Sequence, residues 1–270
     1  MQKWRVIRNS TYDGCMNMAI DEAIMKAYKE EKIDPTIRFY TWKPACISIG
    51  YFQKMEEEID INVCKELGVD FVRRTTGGRA VLHDNELTYS IVVGEKNPLM
   101  YGGIMQTYRY ISEGLANGLK MSGIDVDPLT RADKDINNGK SSVCFNSKSH
   151  YEISINNKKV VGSAQTRKEG IILQHGSIVL DFNVDKLISI MKIDESKKEK
   201  LKKITVKKAT GIENELGKKV DINTLEKNII KGLEQHFNIE IYEDELSDYE
   251  IEIAKQLYEK YSNDNWNKKR

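Results

Sequence analysis

Apolar residues along this chain recur at two spacings, two and about 3.6, the periods of half-buried strands and amphipathic helices. Trp4 to Arg8 alternates and predicts a short strand. After Asp13-Gly14, the residues Met16, Ile20, Ala23, Ile24 and Ala27 recur at helical spacing and predict a helix to about Glu30. Pro35 resets the chain before a strand over Thr36–Trp42, and Pro44 separates that strand from a buried one over Ala45–Tyr51. Glu56 to Gly68 reads as a helix ended by a glycine just past its last turn.

Val69–Arg74 and Arg79–His83 are β-rich runs, and Leu87–Val93 is the next strand. Gly102-Gly103 opens a helix through Met121 with Ile104, Tyr108, Ile111, Leu115 and Leu119 on one face. Pro128 to Ser149 is polar and lacks any apolar period; a loop of that length is expected to be functional or disordered rather than packing filler, and it carries Cys144. His150 to Phe182 reads as a three-strand meander turning at Asn156-Asn157 and at Lys168-Glu169-Gly170. Ile222, Leu225, Ile229, Leu233 and Phe237 form another helical stripe, followed by an edge strand over Asn238–Tyr242. Ser247-x-x-Glu250 is a capping box that opens the last helix. The pattern predicts an α+β fold, with a mixed, largely antiparallel β-sheet core and helices packed on its faces.

Composition narrows the classes. Apolar residues at 40% and charged residues at 31% of 270 are ordinary for a globular chain with a sizeable core. No apolar run approaches the length of a membrane span, and the first residues lack the apolar core of a signal peptide, so a cytoplasmic protein is expected. Cys15, Cys46, Cys64 and Cys144 are widely spread without a Cys-x-x-Cys, which argues against a disulfide framework or a structural metal site. Lys192 to Lys208 holds eight lysines against three acids, and Glu240 to Glu252 holds seven acids and no base. Both read as solvated surface, with electrostatic steering of an acidic partner as the alternative for the lysines. The basic run lacks interleaved aromatics, so no nucleic-acid partner is expected.

Candidate chemistry centres on Thr75, Thr76, Gly77 and Gly78, a turn entered by Arg73 and Arg74 and left by Arg79. Paired glycines admit positive φ and let a ligand approach the main chain, and arginines supply fork donors for a carbonyl, carboxylate or phosphate. A plain hairpin turn with solvated arginines fits the same residues, and chemistry alone leaves both open. The longer string Arg73-Arg74-x-x-Gly77-Gly78-x-Ala80-Val81-x-His83-Asp84 resembles the signature of the biotin/lipoate protein ligase and octanoyltransferase superfamily. Lys159-Val160-Val161-Gly162-Ser163-Ala164-Gln165 and Leu173-Gln174-His175-Gly176-Ser177 resemble its second signature, in the expected order. The string Ser48-Ile49-Gly50-Tyr51-Phe52-Gln53 resembles the strand that ends near the acyl pocket in that family. The resemblance covers residues 1–240 as a catalytic domain and leaves 241–270 as a C-terminal helical extension packed on it.

The resemblance implies that Arg73, Arg74, Gly77, Gly78, Arg79, His83, Gly162, Ser163, Ala164, His175, Gly176 and Ser177 bind substrate. Three chemistries belong to such a fold: octanoyl transfer through a cysteine thioester, ATP-dependent lipoate ligation, and acyl binding without catalysis. Ligases of the family usually carry a third glycine where Arg79 stands, and commonly a further C-terminal domain. Cys144, 15 residues before Lys159, resembles instead the Gram-positive-type octanoyltransferases, which move octanoyl from acyl carrier protein to the glycine cleavage H protein. Cys144 and Lys159 are then the catalytic pair, the lysine favouring the thiolate, and neither nucleotide nor metal is needed. Backbone N–H groups around Gly162–Ala164 and Gly176-Ser177 would stabilise the oxyanion. Cys15, Cys46 and Cys64 lie in apolar-periodic segments and read as inert thiols. His83 is expected to shape the pocket and His175 to fix a loop at Gly176, with proton transfer by either as the alternative.

Overall fold

The computed structural model describes residues 1–129 and 151–269; Cys144 lies outside the described residues. Strand β1 (Gln2–Tyr12) leads into helix α1 (Gly14–Lys29), whose first turn is capped by the Asp13 carboxylate accepting from the Met16 amide. Strands β2 (Thr36–Trp42) and β3 (Cys46–Ile49) follow, each nearly or wholly buried, polar Arg38 and Ser48 included. The helix expected over Glu56–Gly68 is two short ones, α2 (Met55–Glu58) and α3 (Ile61–Glu66). Asp60 makes the break, because its carboxylate accepts from the Asn62 and Val63 amides and starts a new helix there.

Strands β4 (Asp70–Arg73) and β5 (Val81–His83) are not a hairpin. They flank β3 in a three-stranded sheet of order β4-β3-β5, β4 parallel and β5 antiparallel to it. The segment between them therefore crosses over the end of β3, and the plain hairpin turn is excluded. Strand β6 (Asn85–Gly94) and helix α4 (Ile104–Met121) come next, then β7 (Ile153–Ile155), β8 (Lys158–Lys168) and β9 (Ile171–Asp181) as the expected meander. Its two turns place Asn156, Asn157, Glu169 and Gly170 at positive φ, which the right-handed strand twist favours in tight hairpins.

Helices α5 (Val184–Ile190), α6 (Glu195–Lys208) and α7 (Ile212–Leu216) follow, then α8 (Ile222–Phe237) and the edge strand β10 (Ile239–Glu243). Helices α9 (Asp248–Tyr261), opened by the Ser247 capping box, and α10 (Asp264–Asn267) end the described chain. The larger sheet has the order β10-β1-β2-β6-β9-β8-β7; β1 runs parallel to both β10 and β2, and every other neighbouring pair is antiparallel. One core lies between this sheet and α4 and α8, around Phe39, Ile91, Ile111, Leu115, Leu233 and Phe237. The other lies against α1 and α9, around Ile20, Ile24, Tyr40, Leu173 and Leu257. Among the described residues no helix is long and apolar enough to cross a membrane.

Candidate functional site

The glycine segment is held by Gly50, Tyr51 and Arg74. Gly78 has φ +94°, and its carbonyl packs so close to Gly50 that a Cβ there would stand 2.0 Å from the oxygen. Gly50 is thus a close-approach glycine rather than a simple strand end. The Tyr51 amide donates to the Thr76 carbonyl at 2.9 Å. Arg74, 4% exposed, donates to the carbonyls of Gly77 and Arg79 from one nitrogen, and to the Ser48 carbonyl and hydroxyl from another. It gathers the whole loop around one buried guanidinium.

Behind the loop lies a slot lined by Tyr40, Trp42, Ser48, Arg74, Val81 and His83 on one side and by Gly162–Ala164 and His175–Ser177 on the other. Two histidines bound it, each strung between a carboxylate and a hydroxyl. His175 Nδ1 lies 3.3 Å from Asp21 Oδ2, and its Nε2 lies 2.7 Å from Thr76 Oγ1. His83 Nδ1 lies 3.0 Å from Glu86 Oε1, and its Nε2 lies 2.8 Å from Ser48 Oγ. An ionised carboxylate only accepts, which places the proton on Nδ1 in both and leaves Nε2 to accept from the hydroxyl. Both relays end on the glycine loop, one directly at Thr76 and the other through Ser48 and Arg74.

The Asp21 relay is buried throughout. Arg38 Nη1 donates to Asp21 Oδ1 at 2.9 Å, and Ser90 and Tyr40 hydroxyls complete the carboxylate. Burial pushes Asp21 up, but the hydrogen bond from His175 and the Arg38 charge outweigh it and hold the carboxyl below its usual range. Burial also depresses His175 despite its contact with Asp21, so the imidazole is held neutral. In the second relay Glu86 accepts from Thr88 and Ser177 hydroxyls, and Trp42 stacks on His83 with centroids 4.0 Å apart.

Several expected residues play other parts. Arg73 is fully buried and is not among the slot's lining residues; strand alternation turns it away from Arg74's side. Its guanidinium donates to the carbonyls of Gly50, Tyr51 and Gln53 and, from the C-terminal helix, Trp266 and Asn267. Asn267 also accepts from the Arg73 amide at 2.8 Å, and the Trp266 indole donates to the Arg73 carbonyl at 2.8 Å. Arg79 gives the site its carbonyl, and Gly77 lines a groove on the outer side of the loop with Thr75, Phe52 and Trp266. His175 fixes no loop at Gly176, because Gly176 sits mid-strand; it latches Thr76 instead. Gly176 admits Tyr89 and Ser163, where a Cβ would stand 2.6 Å from the Tyr89 ring and 2.5 Å from Ser163 Oγ. The Gly176 and Ser177 amides are committed to the sheet, since β9 pairs with β6 and β8 on its two sides at these residues. Among the described residues no strand pairs with the outer edge of β8 beyond Val161.

Lys159 is 4% exposed, and its Nζ lies 2.5 Å from Glu152 Oε1. The ammonium thus already faces a carboxylate, which weakens the charge it offers a thiolate compared with an unpaired lysine. Burial pushes the Cys15 thiol up to about 12 and Cys64 to about 11, and holds Cys46 well above its ordinary value. All three are protonated thiols at neutral pH. Among the described residues no cluster of His, Cys, Asp or Glu is arranged to hold a metal ion.

Asp21, Glu86, Glu152 and Asn267 were not singled out from the sequence. Asp21 carried a signal, being an acid inside the apolar stripe of α1 beside Ile20. Glu86, Thr88 and Ser90 carried another, a polar face at strand period. Asp84, next to His83, pairs with surface Lys186 at 2.8 Å and is not the histidine's partner.

The description of the family whose model matches residues 13–234 is the lipoyl protein ligase A/B catalytic domain. Over its whole length the chain is 58% identical to an octanoyltransferase LipM of Clostridioides difficile (strain 630), covering 100% of both chains. It is 42% identical to an octanoyltransferase LipM of Bacillus subtilis (strain 168), again covering 100% of both. The fold is similar to a bi-partite lipoate protein ligase from Thermoplasma acidophilum, with TM-score 0.83, 28% identity and 99% and 97% of the two chains covered. It is also similar to a lipoate-protein ligase A bound with ATP, with TM-score 0.81, 27% identity and 98% of each chain covered. With the glycine loop, the slot and the fold all in agreement, the chain belongs to the lipoyl protein ligase A/B catalytic domain family.

Proposed function

We propose that octanoyl transfer by this chain runs through a thioester on Cys144, with octanoyl-acyl carrier protein as donor and the glycine cleavage H protein as acceptor, in the cytoplasm. The chain is an octanoyltransferase of lipoate assembly; the observation that carries this is the full-length identity of 58%. The covalent route is supported by elimination among the cysteines: Cys15, Cys46 and Cys64 are held as buried or half-buried thiols. Protein substrates of the lipoyl-domain kind are supported by the fold's similarity to a lipoate ligase studied with its E2 lipoyl domain.

In the first step the Cys144 thiolate attacks the octanoyl carbonyl, a carbon–sulfur bond to Cys144 forms, and the carrier's thiolate leaves and takes a proton. In the second, the acceptor lysine amine attacks, the amide bond forms, the amine's proton goes to solvent and the Cys144 thiolate departs. Lys159, held by Glu152, supplies positive charge near the thiolate, and outward amides of Gly162–Ala164 face the oxyanion. The slot behind the glycine loop holds the acyl chain, closed by the Arg74 and histidine latches.

The test offers the protein octanoyl carrier protein alone, in nucleotide-free and chelated buffer, with Cys144→Ser and Lys159→Ala in parallel. The wild type should gain one octanoyl group, labile to hydroxylamine and absent from Cys144→Ser, and then pass it to an apo lipoyl domain. Lys159→Ala should move the pH profile of Cys144 alkylation upward. A strict requirement for Mg-ATP and free acid would replace this reading by the ligase one. Tight octanoate binding without either activity would leave a binding module.

A further inference from the structure

Helix α6 has 14 residues and only one of them, Thr205, is buried, so an apolar face does not explain why it is there. Its inner side carries Lys198, Leu201 and Lys202, the two lysines paired with Glu195 and Asp185. Its outer side carries Lys197, Lys200, Lys203 and Lys207, spaced three, three and four apart, which puts them on one face. All four are exposed, none has an ion pair among the described residues, and Ile204, between them, is 37% exposed. Like charges at these spacings repel, and Lys197 lies in the first turn, where the helix dipole also opposes a cation. Folding of this chain does not call for that face.

The helix ends beside the candidate chemistry. Ala209, just past α6, bridges in register with Lys159, and the Thr210 amide donates to the Lys159 carbonyl at 3.1 Å. The lysine face therefore runs from Lys207, near the strand that carries Lys159, out to Lys197, about 15 Å farther along the helix axis. An acceptor lysine side chain is too short to cover that distance. A carrier protein holds its acyl group on a long flexible thiol arm, which spans it.

We propose that the outer lysine face of α6 is the docking surface for the acidic carrier protein that delivers the acyl thioester; this rests on the acyl-transfer reading above. The face fits a surface of regularly spaced carboxylates, speeding encounter and orienting the arm toward the slot. It lacks the aromatics that nucleic acid would stack on and the apolar area that a membrane would take up.

The experiment reverses the four charges together, Lys197→Glu, Lys200→Glu, Lys203→Glu and Lys207→Glu, with a milder set to Gln. It measures Cys144 loading from octanoyl carrier protein and from octanoyl N-acetylcysteamine across a salt series, then transfer to an apo lipoyl domain. The reversal should raise KM for the carrier about tenfold or more, flatten its salt dependence, and leave loading from the small thioester and the transfer step unchanged. The Gln set should give the same change in smaller measure, with an unaltered thermal midpoint. An unchanged carrier KM overturns the proposal. So does a defect confined to transfer, which would put the acceptor on this face, or an equal loss with both donors, which would make the face part of the slot's support. If the wild type loads from neither donor, the acyl-transfer reading itself has failed and the docking proposal falls with it.

Discussion

The glycine loop and helix α6 handle cationic side chains in opposite ways. Around the loop, Arg38, Arg73 and Arg74 are almost wholly buried, and their guanidinium groups donate to carbonyls, a carboxylate or side-chain oxygens. On α6, four lysines in a row stand in water with no ion pair among the described residues. A planar guanidinium with five donors can be buried when each carbonyl is placed for it, and it then fixes backbone geometry; an ammonium stays hydrated and acts at a distance. Under the proposals above, the loop holds reacting groups still and α6 meets the carrier protein. Variants near the loop should therefore act on stability and turnover, and variants on α6 on the KM of a protein substrate.

The sharpest way to break the loop side is Asp21→Asn. It leaves the Arg38 guanidinium buried without its carboxylate and removes the group that orients His175, so about 3–5 kcal/mol of stability should be lost. The pH dependence checks the cause. His175 is held neutral in the fold while the unfolded chain takes up a proton near 6.5, so this contribution is intact above that pH and stability falls as pH drops below it. Asp21 contributes the two influences that raise His175, so the variant should lose thermal midpoint between pH 7.5 and 5.5 at least as steeply as the wild type. A shallower slope would detach His175 from Asp21.

Gly50→Ala comes next. The new Cβ would meet the Gly78 carbonyl at 2.0 Å, and backbone cannot swing aside as a side chain does. Overpacking of this kind costs about 1–3 kcal/mol, and displacement of the loop by about an ångström should lower kcat by roughly 100-fold. Near-normal turnover would show that the close approach of Gly50 and Gly78 is packing alone.

Asn267→Ala tests whether the C-terminal helix belongs to the site. It removes the acceptor of the buried Arg73 amide and the donor to the Tyr261 carbonyl, at about 1–3 kcal/mol. Arg73 precedes Arg74, so the loop should loosen and kcat should fall less than in Gly50→Ala. A stability loss with kcat intact would make the clamp structural only. The smallest effect belongs to α6: Lys200→Gln alone should change stability by less than about 0.5 kcal/mol and raise the carrier KM slightly. A large loss of stability there would erase the contrast between the two regions.

What could be read without the fold was local. Apolar period placed α1, α4 and α8 nearly to the residue, since each buries one continuous face, and prolines and turn residues bounded β2 and the meander. Turn residues did the same, Asn156 and Asn157 being among the few that accept positive φ without a large cost. Helix α6 was invisible to that reading, because a helix with one buried residue has no apolar period. The glycine loop and the histidines were legible as a string, but their partners were not. Asp21 meets His175 across 154 positions and Asn267 meets Arg73 across 194, and no local pattern encodes contacts at that range. Sheet order decided them: β3 inserted between β4 and β5 turned an apparent hairpin into a crossing loop, and strand alternation sent Arg73 and Arg74 to different work. The residue types were written in the sequence, whereas the tertiary structure alone chose which carboxylate, which hydroxyl and which carbonyl each would meet.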